Sequence, residues 1–131
     1  MPTPKVVIDT SVWVDFFRGT VNPRADAIEK LVRAGRAVTC GIVQAELLAG
    51  IRDESERERL RQGMTGIEYV ETTRSTWTKA GNLAAGLRVR GLTLPLSDLV
   101  LAAIAVENGF LILSADRHFT RIPGVNLYKS A

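Results

Sequence analysis

The sequence predicts a three-layer α/β/α sandwich around a central, mainly parallel sheet. Two short apolar runs, Val6–Ile8 and Phe110–Leu113, show no alternation of polar and apolar residues, which is typical of strands that helices cover on both faces of a sheet. Helix-like segments separate the strand-like ones, as expected for parallel strands joined by helical crossovers. With 131 residues and neither a repeat nor a linker, the chain is expected to form a single domain over residues 1–131.

Three further strands complete the predicted sheet. Ala37–Cys40 is predicted as the third strand and Ile67–Val70 as the fourth. Val125–Tyr128 is predicted as a short strand at the edge of the sheet.

The helices are predicted from apolar spacing and from end signals. In one of them Trp77, Ala80, Ala84 and Leu87 recur at spacings of three and four residues, which predicts an amphipathic stripe that packs against the sheet. The predicted helices cover Ser11–Arg18, Pro23–Ala34, Ile42–Ile51 continuing into Asp53–Gln62, Thr76–Arg88, and Ser97–Glu107, the last of which stops before Asn108-Gly109.

Composition is that of a soluble globular protein. Hydrophobic residues make up 46% of the chain and charged residues 24%, and no apolar run approaches the roughly 20 residues of a membrane span. The opening MPTPK leads directly into a strand-like segment, without an apolar signal region. The single cysteine, Cys40, cannot form an internal disulfide, which fits a reducing compartment. We therefore expect a cytoplasmic protein with no membrane partner.

Basic residues are clustered, whereas several acids lie inside apolar segments. The net charge of +3 and the pI of about 9.4 are by themselves weak support for a nucleic-acid partner. The run Arg52–Arg61 is interleaved with glutamates, which favours a solvated helix face over a binding patch. The overall pattern indicates basic surface around an acidic interior site.

Two of these acids follow predicted strands. Asp9 comes directly after the first strand, and Asp116 follows Phe110–Leu113 after Ser114 and one alanine. Ligand sites of parallel α/β sheets lie beyond the carboxyl ends of the strands, so both acids are expected at the functional edge. Aspartate is also a good helix N-cap, and for either acid alone capping remains an equal alternative.

The other two acids lie in apolar helices. Glu46 is in the middle of GIVQAELLAG, where no cap is needed and where its helical neighbours are apolar; a buried arginine partner is the alternative to a functional role. Asp98 begins the helix of LPLSDLVLAAIAV, with Ser97 as the expected cap. The helix dipole explains why an acid is tolerated there. It does not explain why Asp98 faces the core side.

If the four acids converge, they require a cation. Two carboxylates about 5 Å apart repel by roughly 3 kcal/mol at an effective dielectric constant near 20. All-oxygen ligation selects hard ions, so Mg²⁺ or Mn²⁺ is the expected occupant. Such ions activate water and neutralise charge on phosphate oxygens, which is the chemistry of phosphodiester hydrolysis. Ser11, close to Asp9, is a candidate supporting residue, with a role at the helix start as the alternative.

Four motifs in order carry a resemblance to a known family. The chain has DTSVW near its start, AEL in a helix after the second strand, LSD opening an apolar helix, and LSADRHF after the strand Phe110–Leu113. With these residues it resembles PIN domains, most closely the VapC-type toxin ribonucleases of bacterial toxin–antitoxin pairs. The resemblance implies an α/β/α fold, RNA cleavage dependent on Mg²⁺ or Mn²⁺, a cognate antitoxin and a homodimer. It carries the family's metal-binding, catalytic acids over to Asp9, Glu46, Asp98 and Asp116.

The chain departs from the family pattern near the last acid. The hydroxyl upstream of Asp116 is usually threonine in such proteins and is Ser114 here. Many relatives have a further acid shortly after this point, where the chain has Arg117 and His118. The number of metal ions, one or two, is therefore left open. As RNA-binding residues we expect Arg117 and His118, together with Arg88 and Arg90.

Three other functions fit the sequence less well than a metal-dependent nuclease. The single histidine, His118, excludes a metal-free ribonuclease that uses two histidines as acid and base. A haloacid-dehalogenase-like phosphatase also begins with an aspartate after a buried strand, but it requires a second aspartate where this chain has Ser11. A non-catalytic module that clusters acids around Mg²⁺ to bind a partner is the remaining alternative. The aromatic residues Trp13, Phe16 and Phe17 lie along one short predicted helix. This pattern favours packing in the core or at a dimer contact over stacking on RNA bases.

Overall fold

Four parallel strands form the central sheet of the computed structural model, which describes residues 3–129. The predicted domain span of 1–131 therefore includes four terminal residues that lie outside the described residues. The strands are joined side by side in the order β3-β2-β1-β4, so the first strand of the chain is interior. The strands are β1 (Val6–Ile8), β2 (Ala37–Cys40), β3 (Glu68–Val70) and β4 (Leu111–Leu113).

Six helices flank the sheet, and the predicted three-layer α/β/α fold is confirmed. The first helix packs against the second and the third, and the fifth packs along the sixth. Within residues 3–129 no helix has both the length and the apolarity that crossing a membrane requires. The helices are α1 (Thr10–Phe17), α2 (Pro23–Arg33), α3 (Gly41–Ala49), α4 (Glu54–Met64), α5 (Arg74–Val89), α6 (Leu96–Asn108) and a short 3₁₀ helix (Arg117–Arg121).

The register of β1 places the ends of two strands side by side. Ile8 pairs with Leu113 of β4, and the backbone N–H of Asp9 donates to the carbonyl of Leu113 at 2.9 Å. Because both strands run in the same direction, the residues that follow them emerge at one edge of the sheet. This edge is the carboxyl edge at which the acids were expected.

The predicted edge strand is reduced to a single pairing. Leu127 forms one parallel bridge with Ile112 of β4, and the N–H of Tyr128 donates to the carbonyl of Ile112 at 2.8 Å. The segment Val125–Tyr128 therefore lies beside β4 as predicted, but it does not continue as a strand.

α3 and α4 are separate helices, whereas the sequence analysis joined them. Gly50 follows the last residue of α3 at its C-terminal cap. Asp53 then begins a new helix, because its side chain accepts a hydrogen bond from the backbone N–H of Glu56 at 2.9 Å. No side chain of α4 is buried. Glutamates of this helix pair with Arg52, Arg57 and Arg61, which confirms the solvated face.

The buried stripe of α5 differs from the predicted one at its first position. Ala80 and Leu87 are buried as predicted, but Trp77 is 52% exposed. The buried residue of this turn is Thr76, whose hydroxyl donates to Glu107 of α6 at 2.6 Å. The hydroxyl of Ser75 donates to the other oxygen of the same carboxylate at 2.6 Å. This polar tie between α5 and α6 replaces the apolar contact predicted for Trp77.

An aromatic cluster holds α4 against α1. Trp13 is fully buried and stacks on Phe17, with ring centroids 5.8 Å apart and planes at 19°, which confirms the interpretation as core packing. The ring of Phe17 lies against the backbone of α4 at Gly63, where an added Cβ would come within 2.8 Å of the Phe17 Cζ atom. Glycine is therefore required at a position inside a helix, where it is otherwise unfavourable.

We predict that Gly63→Ala destabilises the protein by about 1–3 kcal/mol, because the methyl group overpacks the Phe17 ring. The matched control is Gly81→Ala in α5, where an added Cβ meets nothing within 4 Å. This control should gain about 0.5–1 kcal/mol from helix propensity alone. Urea unfolding measures both. Equal gains for the two variants would show that α4 does not pack on Phe17.

We also predict that the tie at Glu107 depends on pH. Hydrogen bonds from Ser75, and next from Thr76, hold the pKa of Glu107 below its ordinary value of 4.5. A lowered pKa stabilises the folded state at pH values above 4.5, and this contribution is lost as the pH falls through the lowered value. Because Glu107 is exposed, solvent screening limits the effect to about 1 kcal/mol. Glu107→Gln should therefore reduce the unfolding free energy near neutral pH. The difference from the parent protein should shrink as the pH falls below 4.5.

Candidate metal centre

Asp9 is the most buried of the four predicted acids. It follows β1 directly and is only 7% exposed. It occupies the N-cap position of α1, but its side chain makes no capping hydrogen bond. Its Oδ2 atom instead accepts from the hydroxyls of Ser114 at 2.8 Å and Ser11 at 3.1 Å. Within residues 3–129, Oδ1 accepts no hydrogen bond. One oxygen is thus fixed by hydroxyls, and the other is free to bind a ligand.

Asp116 is held beside Asp9 through the same serine. The backbone N–H of Asp116 donates to the Ser114 hydroxyl at 3.0 Å, and this hydroxyl in turn donates to Asp9. Asp116 precedes the 3₁₀ helix but, like Asp9, makes no side-chain capping bond. The capping alternative is therefore wrong for both side chains. Ser114 links the ends of β1 and β4.

Asp98 enters the site from the first turn of α6. The helix begins at Leu96 with Pro95 at the N-cap, so the expected cap at Ser97 is wrong. The carbonyl of Pro95 accepts from the backbone N–H groups of Asp98 and Leu99, which starts the helix without a side-chain cap. The Asp98 side chain is 17% exposed, consistent with the predicted orientation toward the core side.

Asp98 contacts the single histidine of the chain. His118 Nε2 lies 2.8 Å from Asp98 Oδ2. Burial, followed by the negative charge of Asp9, raises the pKa of Asp98, while His118 opposes this effect. The sequence predicts an RNA-binding role for His118. Its observed contact was not predicted, since no periodicity relates positions 98 and 118.

These side chains form a compact group of potential metal ligands. One ligand atom from each of Asp98, Asp116 and His118 lies within 4.8 Å of the others. Among residues 3–129, no lysine or arginine forms an ion pair with these acids or with Asp9. Carboxylate oxygens with one imidazole suit a divalent cation. The donor set and its uncompensated negative charge therefore fit a metal ion.

Asp9 lies outside this compact group, to which Ser114 links it, and so does Glu46. Glu46 is exposed, which corrects the prediction that it projects from a buried apolar face. α3 is apolar nearly all round but buries only Val43 and Leu47, and Glu46 lies beside that stripe. The predicted alternative of a buried arginine partner is also wrong: the hydroxyl of Thr10 donates to Glu46 Oε1 at 2.7 Å. Since Thr10 follows Asp9, this bond connects Glu46 to the edge of the site.

A groove that the sequence does not predict lies next to Glu46. It has a volume of about 320 Å³ and lies between α1, α3 and α4. Leu47 and Leu60 contribute apolar walls. Arg18 and Arg59 supply positive charge from two different helices. Only the folding of α4 against α1 brings these arginines together, so no local sequence signal marks the groove.

The remaining predicted RNA-binding residues are all exposed. Arg88 and Arg90 lie at the C-terminal end of α5, and Arg117 directly follows Asp116. The structure thus leaves these three guanidinium groups accessible. It gives His118 a different environment, against Asp98.

The structure is an α/β domain with an acid-lined centre, suited to a metal ion, at the carboxyl edge of its parallel sheet. The family model described as PIN domain matches residues 6–125. The chain belongs to the PIN domain family, and this membership argues against the haloacid-dehalogenase alternative.

Two curated relatives are similar over nearly the whole chain. Ribonuclease VapC51 of Mycobacterium tuberculosis is 32% identical over 124 residues, covering 92% of this chain and 87% of the relative. Ribonuclease VapC11 of the same organism is 28% identical over 131 residues, covering 96% and 97%.

Two solved structures share the fold. The structure described as VapBC2 from Rickettsia felis bound to a DNA fragment from their promoter has a TM-score of 0.81 at 20% identity, covering 94% of this chain and 96% of that chain. DNA-bound VapBC from Salmonella typhimurium has a TM-score of 0.84 at 18% identity, covering 98% and 100%.

We predict that Asp98→Asn stabilises the metal-free protein. Burial and the negative charge of Asp9 raise the pKa of Asp98 more than His118 lowers it, so the charged form of Asp98 opposes folding. In EDTA the midpoint of urea unfolding should rise for Asp98→Asn. It should stay near the parent value for the control Glu71→Gln, which removes an exposed charge. Mg²⁺ at about one hundred times its Kd should stabilise the parent protein and Glu71→Gln by about 2.7 kcal/mol, and Asp98→Asn by much less. Equal Mg²⁺ stabilisation of all three proteins would contradict a site at Asp98.

Proposed function

We propose that this protein is a metal-dependent endoribonuclease and the toxin of a type II toxin–antitoxin pair. The observation that carries the proposal is the convergence of Asp9, Asp98 and Asp116 at the carboxyl edge of the sheet. This acid site occurs in a PIN-domain chain whose curated relatives are named VapC ribonucleases.

The proposed metal site uses the four acids. Asp9 would contribute its free Oδ1, with Asp98 and Asp116 as further ligands and Glu46 at the outer side, next to Thr10. Mg²⁺ or Mn²⁺ fits carboxylate oxygens best. When bound, such a cation neutralises charge on phosphate oxygens and lowers the pKa of water, which favours phosphodiester hydrolysis. Hydrolysis by this route needs no RNA 2′-hydroxyl and leaves a 5′-phosphate.

The chain's own hydroxyls prepare this site. Ser11 and Ser114 fix the orientation of the buried Asp9 carboxylate, and Ser114 also fixes the backbone at Asp116. Such supporting hydrogen bonds hold ligands in place before substrate arrives, which reduces the reorganisation that catalysis requires.

Exposed arginines would bind the RNA backbone. Arg117 lies directly beside the acid site in sequence. Arg88 and Arg90 lie at the end of α5, the helix that precedes α6 and its Asp98. Guanidinium contacts to phosphates carry affinity without sequence specificity and weaken as salt increases. We therefore assign these residues to RNA positioning and not to bond cleavage.

The proposed partners are a cognate antitoxin and a second copy of the chain. Similar solved structures include VapBC of Salmonella typhimurium and a toxin-antitoxin complex from Klebsiella pneumoniae. α5 exposes Trp77 and Val89, apolar surface that suits a protein contact. We place the protein in the cytoplasm, where the RNA substrate is present. One domain carries the activity.

RNA cleavage by the purified, antitoxin-free protein tests the function. We predict cleavage of a structured RNA pool in Mg²⁺ or Mn²⁺, no cleavage in EDTA, and 5′-phosphate product ends. Asp98→Asn should lose at least about 100-fold in rate, since even supporting residues of metal sites are worth about 10–100-fold. Glu71→Gln, with the same change of charge, should retain activity.

Two outcomes would contradict the proposal. Cleavage that survives both EDTA and Asp98→Asn would exclude the acid site as its source. Metal binding by the folded protein without cleavage would favour the non-catalytic binding module.

A further inference from the structure

We propose that His118 is a direct nitrogen ligand of the divalent cation, an inference that rests on the metal site of the proposed function. The chain has Arg117 and His118 just after Asp116, where proteins of the pattern that it resembles often have a further acid. The structure turns this histidine toward Asp98 and Asp116, whereas the sequence analysis assigned it to RNA binding. The cation would therefore be coordinated by carboxylate oxygens and by one imidazole nitrogen.

The distance between His118 and Asp98 suits two adjacent ligands. In an octahedral site with metal–ligand bonds of about 2.1 Å, neighbouring ligand atoms stand about 3 Å apart. His118 Nε2 and Asp98 Oδ2 are 2.8 Å apart. One oxygen of Asp116 lies within 4.8 Å of a ligand atom of each of the other two. A cation could thus replace the hydrogen bond between histidine and aspartate without a change in the distance between the two side chains, once the imidazole turns so that Nε2 and Oδ2 both point at the ion.

The backbone at His118 is anchored by the hydrophobic core. Phe119, the next residue, is fully buried, and the His118 ring lies beside it with ring centroids 5.0 Å apart. The short 3₁₀ helix holds both residues, with Asp116 at its N-terminal cap. The imidazole is 27% exposed. A side chain fixed in this way costs little entropy to immobilise on a metal.

The alternative is that His118 only orients Asp98 by a hydrogen bond. The two roles differ in their metal selectivity. Imidazole nitrogen is a better donor to transition ions than to Mg²⁺, which prefers oxygen. Direct ligation by His118 should therefore favour Mn²⁺ over Mg²⁺. An orienting role should affect both ions alike, because it acts through the Asp98 carboxylate.

Pulsed EPR of the Mn²⁺-loaded protein tests this ligation directly. The chain has a single histidine, so once any affinity tag is removed, an imidazole ¹⁴N coupling to Mn²⁺ has one source. The test variants are His118→Asn and His118→Gln. The control is Arg121→Gln, an exposed residue of the same 3₁₀ helix. Loss of the free Mn²⁺ signal measures the Kd of Mn²⁺, and competition measures that of Mg²⁺. Circular dichroism confirms folding.

We expect the ¹⁴N coupling in the parent protein and in Arg121→Gln, and its absence from both His118 variants. The Kd of Mn²⁺ should rise about 10–100-fold in these variants, and the Kd of Mg²⁺ should rise several-fold less. Mn²⁺ binding without nitrogen coupling would overturn the inference and leave the nuclease proposal standing. Absence of Mn²⁺ binding would overturn the inference and leave only a Mg²⁺-dependent nuclease, which RNA cleavage in Mg²⁺ tests separately. Nitrogen coupling in a protein that cleaves no RNA would support the inference and overturn the nuclease.

Discussion

The pairing of β1 with β4 is the constraint on which the site depends. Backbone hydrogen bonds join the two strands up to Ile8 and Leu113, and the N–H of Asp9 extends the ladder by one more bond. Parallel alignment brings residues distant in sequence to one edge, where Ser114 can reach Asp9. Two hydroxyl donors then compensate for the burial of the Asp9 carboxylate, which would otherwise be costly. A shift of this pairing would separate the aspartates and leave a buried charge without donors.

The acid site places several negatively charged carboxylates close together. Their repulsion must be offset by stabilising interactions elsewhere in the structure. Burial and the negative charge of Asp9 raise the pKa of Asp98. The charged form of this carboxylate is therefore unfavourable in the folded protein when no cation is bound. Stability is supplied elsewhere, by the apolar sheet, by the stacking of Trp13 on Phe17 and by the polar tie of α5 to α6. Metal sites are often destabilising when they are empty. The free energy of metal binding stabilises the folded state when the ion is present.

Strands and strand ends were predictable from sequence, but lateral contacts were not. The rule that parallel strands present ligands at their carboxyl ends located Asp9 and Asp116. Glu46 was misjudged because α3 is apolar on all sides, so its sequence does not indicate which face the core will cover. The partner of Asp98 depends on how the 3₁₀ helix turns His118, a tertiary effect without a sequence period. Thr76 replaced Trp77 in the core because a buried hydroxyl found an acceptor on α6, which hydrophobic spacing cannot reveal.

The bridge between Asp9 and Ser114 spans 105 positions, and it has a consequence for the order of events during protein synthesis. A domain generally folds as a unit, once enough of its chain has been synthesised. A nascent chain that has reached only β3 carries Asp9, yet it lacks Asp98, Ser114 and every later donor. No metal centre can assemble on such an intermediate. Under the proposed function, the chain would therefore gain the ability to cut RNA only after most of it has been translated.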